Sequence, residues 1–196
     1  MARREASTDP RAVRTHQALV NATVELLADR PARELSVTAI VQRAGVSRQV
    51  FYEHFADLGS ALFAAAESIL GPIYADFVRE FEPRRGCAEQ VAGLIRGMNE
   101  RGAEVRSLMD SSTQGQVTDY LLDLLTGAIR PELEAHLDAA GAEVSGESVG
   151  DTARFLAAGT QALVAFGFAE GAEPEEVGRR IEEVRRTLAA VTVGAS

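Results

Sequence analysis

Apolar residues along the 196-residue chain recur at three- and four-residue intervals, the repeat of one helix face. No segment sustains the strict alternation of a half-buried strand. A first helix is expected from Pro10 to about Asp29, with Leu19, Val20, Val24, Leu26 and Leu27 at helical spacing. Ser36 reads as the N-cap of a short helix over 37–44, and Gly45 as the residue that ends it by tolerating positive φ. Ser47 caps a third helix over 48–55, and Asp57 a fourth. The pair Gly71-Pro72 is expected to kink or break that fourth helix, because proline brings no donor to the preceding turn. Further helices are expected at 72–82, 87–101, 104–112, 116–140 (with a break at Pro131), 148–169 and 174–192. "DAAGAEVSGESVG" is the most loop-like stretch. The fold class is therefore all-α.

Composition narrows the function more than the fold. With 46% hydrophobic residues a sizeable core can form, and no run of eighteen apolar residues indicates a membrane span. The opening "MARREASTDPRAVRTH" lacks the apolar centre of a secretory signal. A single cysteine, Cys87, allows neither an intrachain disulfide nor a thiolate metal cluster, and His16, His54 and His136 are too scattered for a metal site. No paired carboxylates, glycine-rich phosphate loop or Ser-His-Asp pattern stands out. The expectation is a cytoplasmic protein that is no enzyme and carries no metal or cofactor.

Charge is sorted along the chain. The formal net charge is −9 and lysine is absent. Residues 1–56 hold eight arginines against six acids, a balance of +2, and the remainder holds twelve against twenty-three, a balance of −11. At a Debye length of about 8 Å in physiological salt, a distant acidic body is largely screened from an anion at the basic end.

The two short helices joined at Gly45-Val46-Ser47 form a helix-turn-helix pattern. On the second, Phe51 and Phe55 share a face that can pack on Ile40 and Ala44. The opposite side then presents Arg48, Gln49, Tyr52 and Glu53, flanked by Val50 and His54. Arginine can bond guanine O6 and N7 together, and glutamine adenine N6 and N7. Tyr52, His54 and Thr38 are placed for phosphate oxygens, and Ser47 caps the helix. Glu53 would repel phosphate or accept from cytosine N4.

The stretch "ELSVTAIVQRAGVSRQVFYEHFADLGSAL" resembles the DNA-binding domain of the TetR family of bacterial repressors, through Ile40, Ala44, Gly45, Val46, Ser47, Phe51, Tyr52, His54 and Phe55. The likeness is specific over residues 11–70. Elsewhere it extends only to length and helical character. Val50 stands where the family usually has Thr, Leu58 where it usually has Lys, and Val41 where it usually has Ala. The first two remove phosphate contacts, for which Arg3, Arg4, Arg11 and Arg14 could compensate. The division this implies is a flexible basic arm over 1–10, a DNA-binding domain over 11–56 with its motif at 36–55, and a helical effector-binding and dimerisation domain over 57–196.

A single helix-turn-helix offers little surface, and such domains bind two half-sites as dimers. The last helix repeats Val177, Ile181, Val184, Leu188 and Val191 at four-three spacing, a seam of the kind used in bundles, with Glu175–Arg179, Glu176–Arg180 and Glu182–Arg186 four apart. The helix before it offers Ala158, Gly159, Ala162 and Ala165 for close approach, with Phe155, Phe166 and Phe168 as bulk. By resemblance these two helices from each subunit form a four-helix homodimer interface. Also by resemblance, the middle helices enclose a pocket for a small, mostly apolar effector that moves the DNA heads out of register, with Gly71-Pro72 as a candidate hinge. Candidate pocket residues are the polar or soft groups set in apolar helices: Tyr74, Arg96, Met98, Asn99 and Met109, then Tyr120, His136, Phe155 and Gln161. The reading is a homodimeric repressor released from a palindromic operator. The alternative is a helical interaction protein of the same fold with weakened or lost operator binding, which Val50, Glu53 and Leu58 favour.

Overall fold

A computed structural model describes residues 9–80 and 86–193, which form helices joined by short turns, with no strand among them. The helices are α1 (Pro10–Asp29), α2 (Val37–Ala44), α3 (Arg48–His54), α4 (Leu58–Glu80), α5 (Ala88–Glu100), α6 (Gly102–Met109), α7 (Gln114–Ala139), α8 (Gly146–Glu170) and α9 (Pro174–Val193), with a 3-10 turn at Ala32–Glu34. Local chemistry sets the early boundaries. Asp9 accepts from the Arg11 N–H, Ser36 from Ala39 and Ser47 from Val50, while Gly45 closes α2 at φ 68°. Asp57 accepts from the Ser60 N–H at 2.7 Å, and Ser60 Oγ in turn accepts from the Asp57 N–H at 3.2 Å, a reciprocal cap at the head of α4.

Two expected breaks are absent. Helix α4 runs through Pro72 and α7 through Pro131. Each proline leaves one carbonyl, that of Ser68 or Gly127, without its helical donor; both residues are exposed, where water can supply it. The stretch over 138–150 is less loop-like than its composition implies, because Ser145 caps α8 by accepting from Ser148 at 3.2 Å, so helix resumes at Gly146. The Glu–Arg pairs of α9 also differ. Arg179 meets Glu176 and Glu183, and Glu175 instead meets Arg96 of α5 at 2.6 Å.

The chain divides into two compact units. The first comprises residues 1–70 and 101–117, so the start of α4 and all of α6 pack with the N-terminal helices, beyond the expected boundary at residue 56. Its core holds Leu19, Leu27, Ile40, Phe51, Leu70 and Leu108, all fully buried. Two contacts fasten α6 there. The Ala32 N–H donates to Ser107 Oγ at 2.6 Å, and Arg33 pairs with Asp110 at 2.8 Å. An open cleft of about 420 Å³ runs beside them.

The second unit comprises residues 71–100 and 118–196, with Tyr74, Val91, Leu94, Ile95, Leu121 and Leu125 fully buried. By length and apolarity alone Leu58–Arg79 could cross a membrane, but its apolar side chains Ala61, Leu62, Ala65, Ala66, Ile69, Leu70 and Tyr74 are buried in the protein. Helices α5 and α9 meet at Gly178, where any Cβ would overlap the Ala88 carbonyl oxygen and lie 2.9 Å from its carbon. Glu182 of α9 accepts the Cys87 N–H at 2.8 Å, which holds its carboxyl below the usual range, and burial pushes the Cys87 thiol up, away from the reactive thiolate. Gly178→Ala is therefore expected to destabilise the protein by about 1–3 kcal/mol. Gly127→Ala, at an exposed helical position with nothing within 4 Å of the new Cβ, should stabilise it by up to about 1 kcal/mol. Urea unfolding of both variants checks the contrast.

Candidate nucleic-acid interface

Helix α3 has only seven residues, too few to be stable alone, so packing sets its orientation. Phe51 is fully buried, Phe55 nearly so, and their ring centroids lie 5.5 Å apart. Burying one such ring contributes about 1.5–3 kcal/mol. Ile40 of α2 is equally buried, and the His16 imidazole of α1 lies 4.8 Å from the Phe55 ring. With that face committed, Arg48, Gln49, Tyr52 and Glu53 are exposed on the other, Tyr52 at 45%, with Ser47 exposed at its head and Val50 and His54 half-buried at its edges.

The polar face is organised internally. Arg48 Nη1 donates to Thr38 Oγ1 of α2 at 2.9 Å and Nη2 to the Tyr52 hydroxyl at 3.4 Å. Gln49 Nε2 donates to Glu53 Oε1 at 3.4 Å. Two of the residues expected to touch DNA, Thr38 and Tyr52, are thus both bonded to a third, Arg48. Arg43 is differently placed. It bonds Glu25 at 3.1 Å and Asp29 at 3.3 Å, two carboxylates one turn apart on α1, and so braces α2 against α1. Arg11 and Arg14 are exposed on α1, whereas Arg3 and Arg4 lie outside the described residues. Leu58, half-buried at the head of α4, supplies no cation.

One contributor to this site was missed in the sequence. His16 sits 5.8 Å from the His54 ring, and its pKa is lowered by burial first and then by the charge of His54. Its place three and four residues before the buried Leu19 and Val20 was the available signal.

In the second unit the expected effector residues separate. Tyr74 is fully buried and donates to Gln161 Oε1 at 2.7 Å, and burial raises its phenol well above the ordinary range. Met98 is buried, and Tyr120 is half-buried with its hydroxyl 2.9 Å from where a Gly71 Cβ would stand. Asn99, His136 and Phe155 are exposed, Arg96 is engaged with Glu89 and Glu175, and Met109 belongs to the first unit. The expected dimer seam also divides. Val177 and Ile181 are buried within this chain, and Gly167 of α8 admits Val177 so closely that a Cβ there would stand 2.5 Å from Val177 Cγ2. Those two residues are core. Val184 and Leu188 remain exposed, as do Phe155 at 70%, Phe166 at 52%, Ala158 and Ala162, while the Val191 side chain lies outside the described residues.

Residues 19–58 match the model of a known family, bacterial regulatory proteins of the tetR family. The chain is similar over 94% of its length to 84% of a tetR-family transcriptional regulator from Streptomyces coelicolor, at 18% identity and a TM-score of 0.64. It is similar to the dihydroxyacetone kinase operon activator DhaS at 18% identity and a TM-score of 0.59, covering 92% of this chain and 98% of that one. It is also similar to SmeT, the repressor of the Stenotrophomonas maltophilia multidrug efflux pump SmeDEF, at 20% identity and a TM-score of 0.55 over 89% of each chain, and to SmeT in complex with triclosan. No curated protein matches the chain. The helix-turn-helix segment thus resembles that of the tetR-family regulators, and the chain shares the fold of these solved structures, an N-terminal helix-turn-helix followed by a helical domain.

The lowered His16 pKa gives a pH test of this region. Below about pH 6.5 the unfolded chain takes up a proton at this imidazole more readily than the folded one, so stability present above that value is lost as pH falls. His16→Gln is expected to flatten that decline, measured as denaturant midpoints between about pH 7.5 and 5.5.

Proposed function

We propose that this chain is a homodimeric transcriptional regulator that reads base pairs through Arg48 and Gln49 and is released from a palindromic operator by a small, mostly apolar molecule. The observation that carries the reading is the outward face of α3, where an arginine and a glutamine stand side by side on a helix whose other side is locked into the core. Among the described residues Arg48 bonds neutral hydroxyls and no carboxylate, so its charge is not cancelled there. His54, at the half-buried edge of that face, and the exposed Arg11 and Arg14 are assigned to phosphates. The exposed strip of Phe155, Ala158, Ala162 and Phe166 on α8, with Val184 and Leu188 on α9, is assigned to the second copy. For the effector, the buried Tyr74–Gln161 pair supplies a polar handle in apolar surroundings. SmeT, of like fold, has been solved with triclosan, which supports a ligand of that general character. Such a ligand acts by its differential affinity for the DNA-competent and DNA-incompetent states. Repression is the sense we favour, although one similar structure is an operon activator.

Binding to duplexes from the region upstream of the protein's own coding gene, followed against salt, tests the reading. Log affinity should fall with log salt by about 0.9 per phosphate contact, and Arg48→Ala should lose about 1–3 kcal/mol of discrimination at one base pair per half-site. Equal loss on operator and random DNA would remove Arg48 from base reading. A shallow slope without sequence preference would favour the interaction-protein alternative, consistent with Leu58, Val50 and Glu53. Sedimentation of Phe155→Glu/Phe166→Glu should give a monomer where the parent protein is a dimer. A parent that sediments as a monomer at micromolar concentration contradicts the assigned interface.

A further inference from the structure

Thr38 and Tyr52 carry hydroxyls of the kind that bond phosphate, and the sequence alone assigns them there. In the structure both hydroxyls accept from the Arg48 guanidinium, Thr38 from α2 at 2.9 Å and Tyr52 from one turn further along α3 at 3.4 Å. Gln49 has a matching arrangement, with its amide held by Glu53, again one turn on, at 3.4 Å. From these contacts we infer that Thr38, Tyr52 and Glu53 are positioning residues that set the two base-reading side chains before DNA arrives. The inference rests on the assignment of Arg48 and Gln49 to base edges made above.

The donor inventory makes the arrangement compatible with reading. A guanidinium has five N–H groups, and two bonds leave three, enough for the O6 and N7 of a guanine. A glutamine amide that gives one N–H to Glu53 keeps the other N–H and its carbonyl oxygen, the donor and acceptor that adenine N7 and N6 require. Long polar side chains lose rotamer freedom when they dock, and holding them beforehand moves that loss from the binding step to the folded protein. Glu53, which repels phosphate and is otherwise out of place on a DNA-facing helix, then has a role as acceptor for Gln49 that involves no contact with the DNA backbone.

Selection from a randomised duplex library, with the bound fraction sequenced, separates positioning from phosphate binding. Arg48→Ala and Gln49→Ala first identify the base-pair columns that each side chain reads. Thr38→Val and Tyr52→Phe should flatten the Arg48 column by about 3- to 10-fold and add less than about 2-fold in the Arg48→Ala background. Glu53→Ala should do the same to the Gln49 column. Uniform weakening on every sequence, full additivity with the reader variants, or no change at all would each overturn the inference. Relaxation of the Arg48 Nε–H in the DNA-free protein gives a readout that needs no operator. It should report an ordered guanidinium that becomes mobile in Thr38→Val and Tyr52→Phe. A guanidinium already mobile in the parent protein overturns preorganisation even if Arg48 reads a base. A parent protein that selects no sequence while Arg48 is ordered removes the base-reading assignment, and with it the inference.

Discussion

The burial of Phe51 with Phe55 is the interaction on which the proposed DNA-reading surface depends. A helix turns by about 100° per residue, so the rotational setting of a two-turn helix decides which side chains reach outward. Seven residues cannot hold that setting by backbone hydrogen bonds alone. The two rings, four residues apart, fix it by occupying the core beside Ile40, and the Ser47 cap fixes where the helix starts. Arg48, Gln49, Tyr52 and Glu53 face outward as the remainder of that choice. The same packing brings α2 alongside, which is why Thr38 reaches Arg48 across two helices.

Charge is distributed around this surface with a consistent logic. Several arginines of the protein are matched to carboxylates: Arg43 to Glu25 and Asp29, Arg33 to Asp110, Arg96 to Glu89 and Glu175. These pairs are exposed and contribute little to stability, but each removes a cation from the field a phosphate would meet. Arg48, the sole arginine of α3, has hydroxyl partners instead. An acidic protein can therefore present a cationic group to DNA by choosing which arginine is left uncancelled, and its net charge of −9 does not argue against that reading.

What could be read in the sequence was what local chemistry decides. Ser36, Gly45, Ser47 and Asp57 announce helix ends through single side chains or a single φ, and each acts there in the structure. The inward turn of Phe51 and Phe55 was legible because aromatics four apart on so short a helix have one place to go. Pro72 and Pro131 misled because the cost of a missing donor depends on whether water reaches the orphaned carbonyl, and the exposure of Ser68 and Gly127 is a tertiary property. Likewise Val177 and Ile181 announce an apolar seam but not its partner. The bare backbone of Gly167 opposite Val177 seats that residue against this chain's own α8, and Gly178 also brings α9 close to α5. The attachment of α6 to the first unit depends on Ser107 and Asp110, which meet residues some seventy-five positions away, and nothing near them in sequence signals it.

Helix α8 makes the strongest physical case for a second copy. Its residues Val149, Ala153, Ala157, Gln161, Val164 and Phe168 form one buried line inside the chain. Phe155, two positions or about 200° from Ala153, opens a second line through Ala158, Ala162 and Phe166 that the chain leaves exposed. A helix apolar on opposite faces belongs in an interior, and a monomer that buries only one face keeps two phenylalanines largely in water. The small residues between those rings would let another helix approach closely, as Gly167 already does within the chain. Under the proposed reading, pairing along this line buries the second face, where within the chain the Arg180 guanidinium, 5.9 Å from the Phe166 ring centroid, is seen to stack.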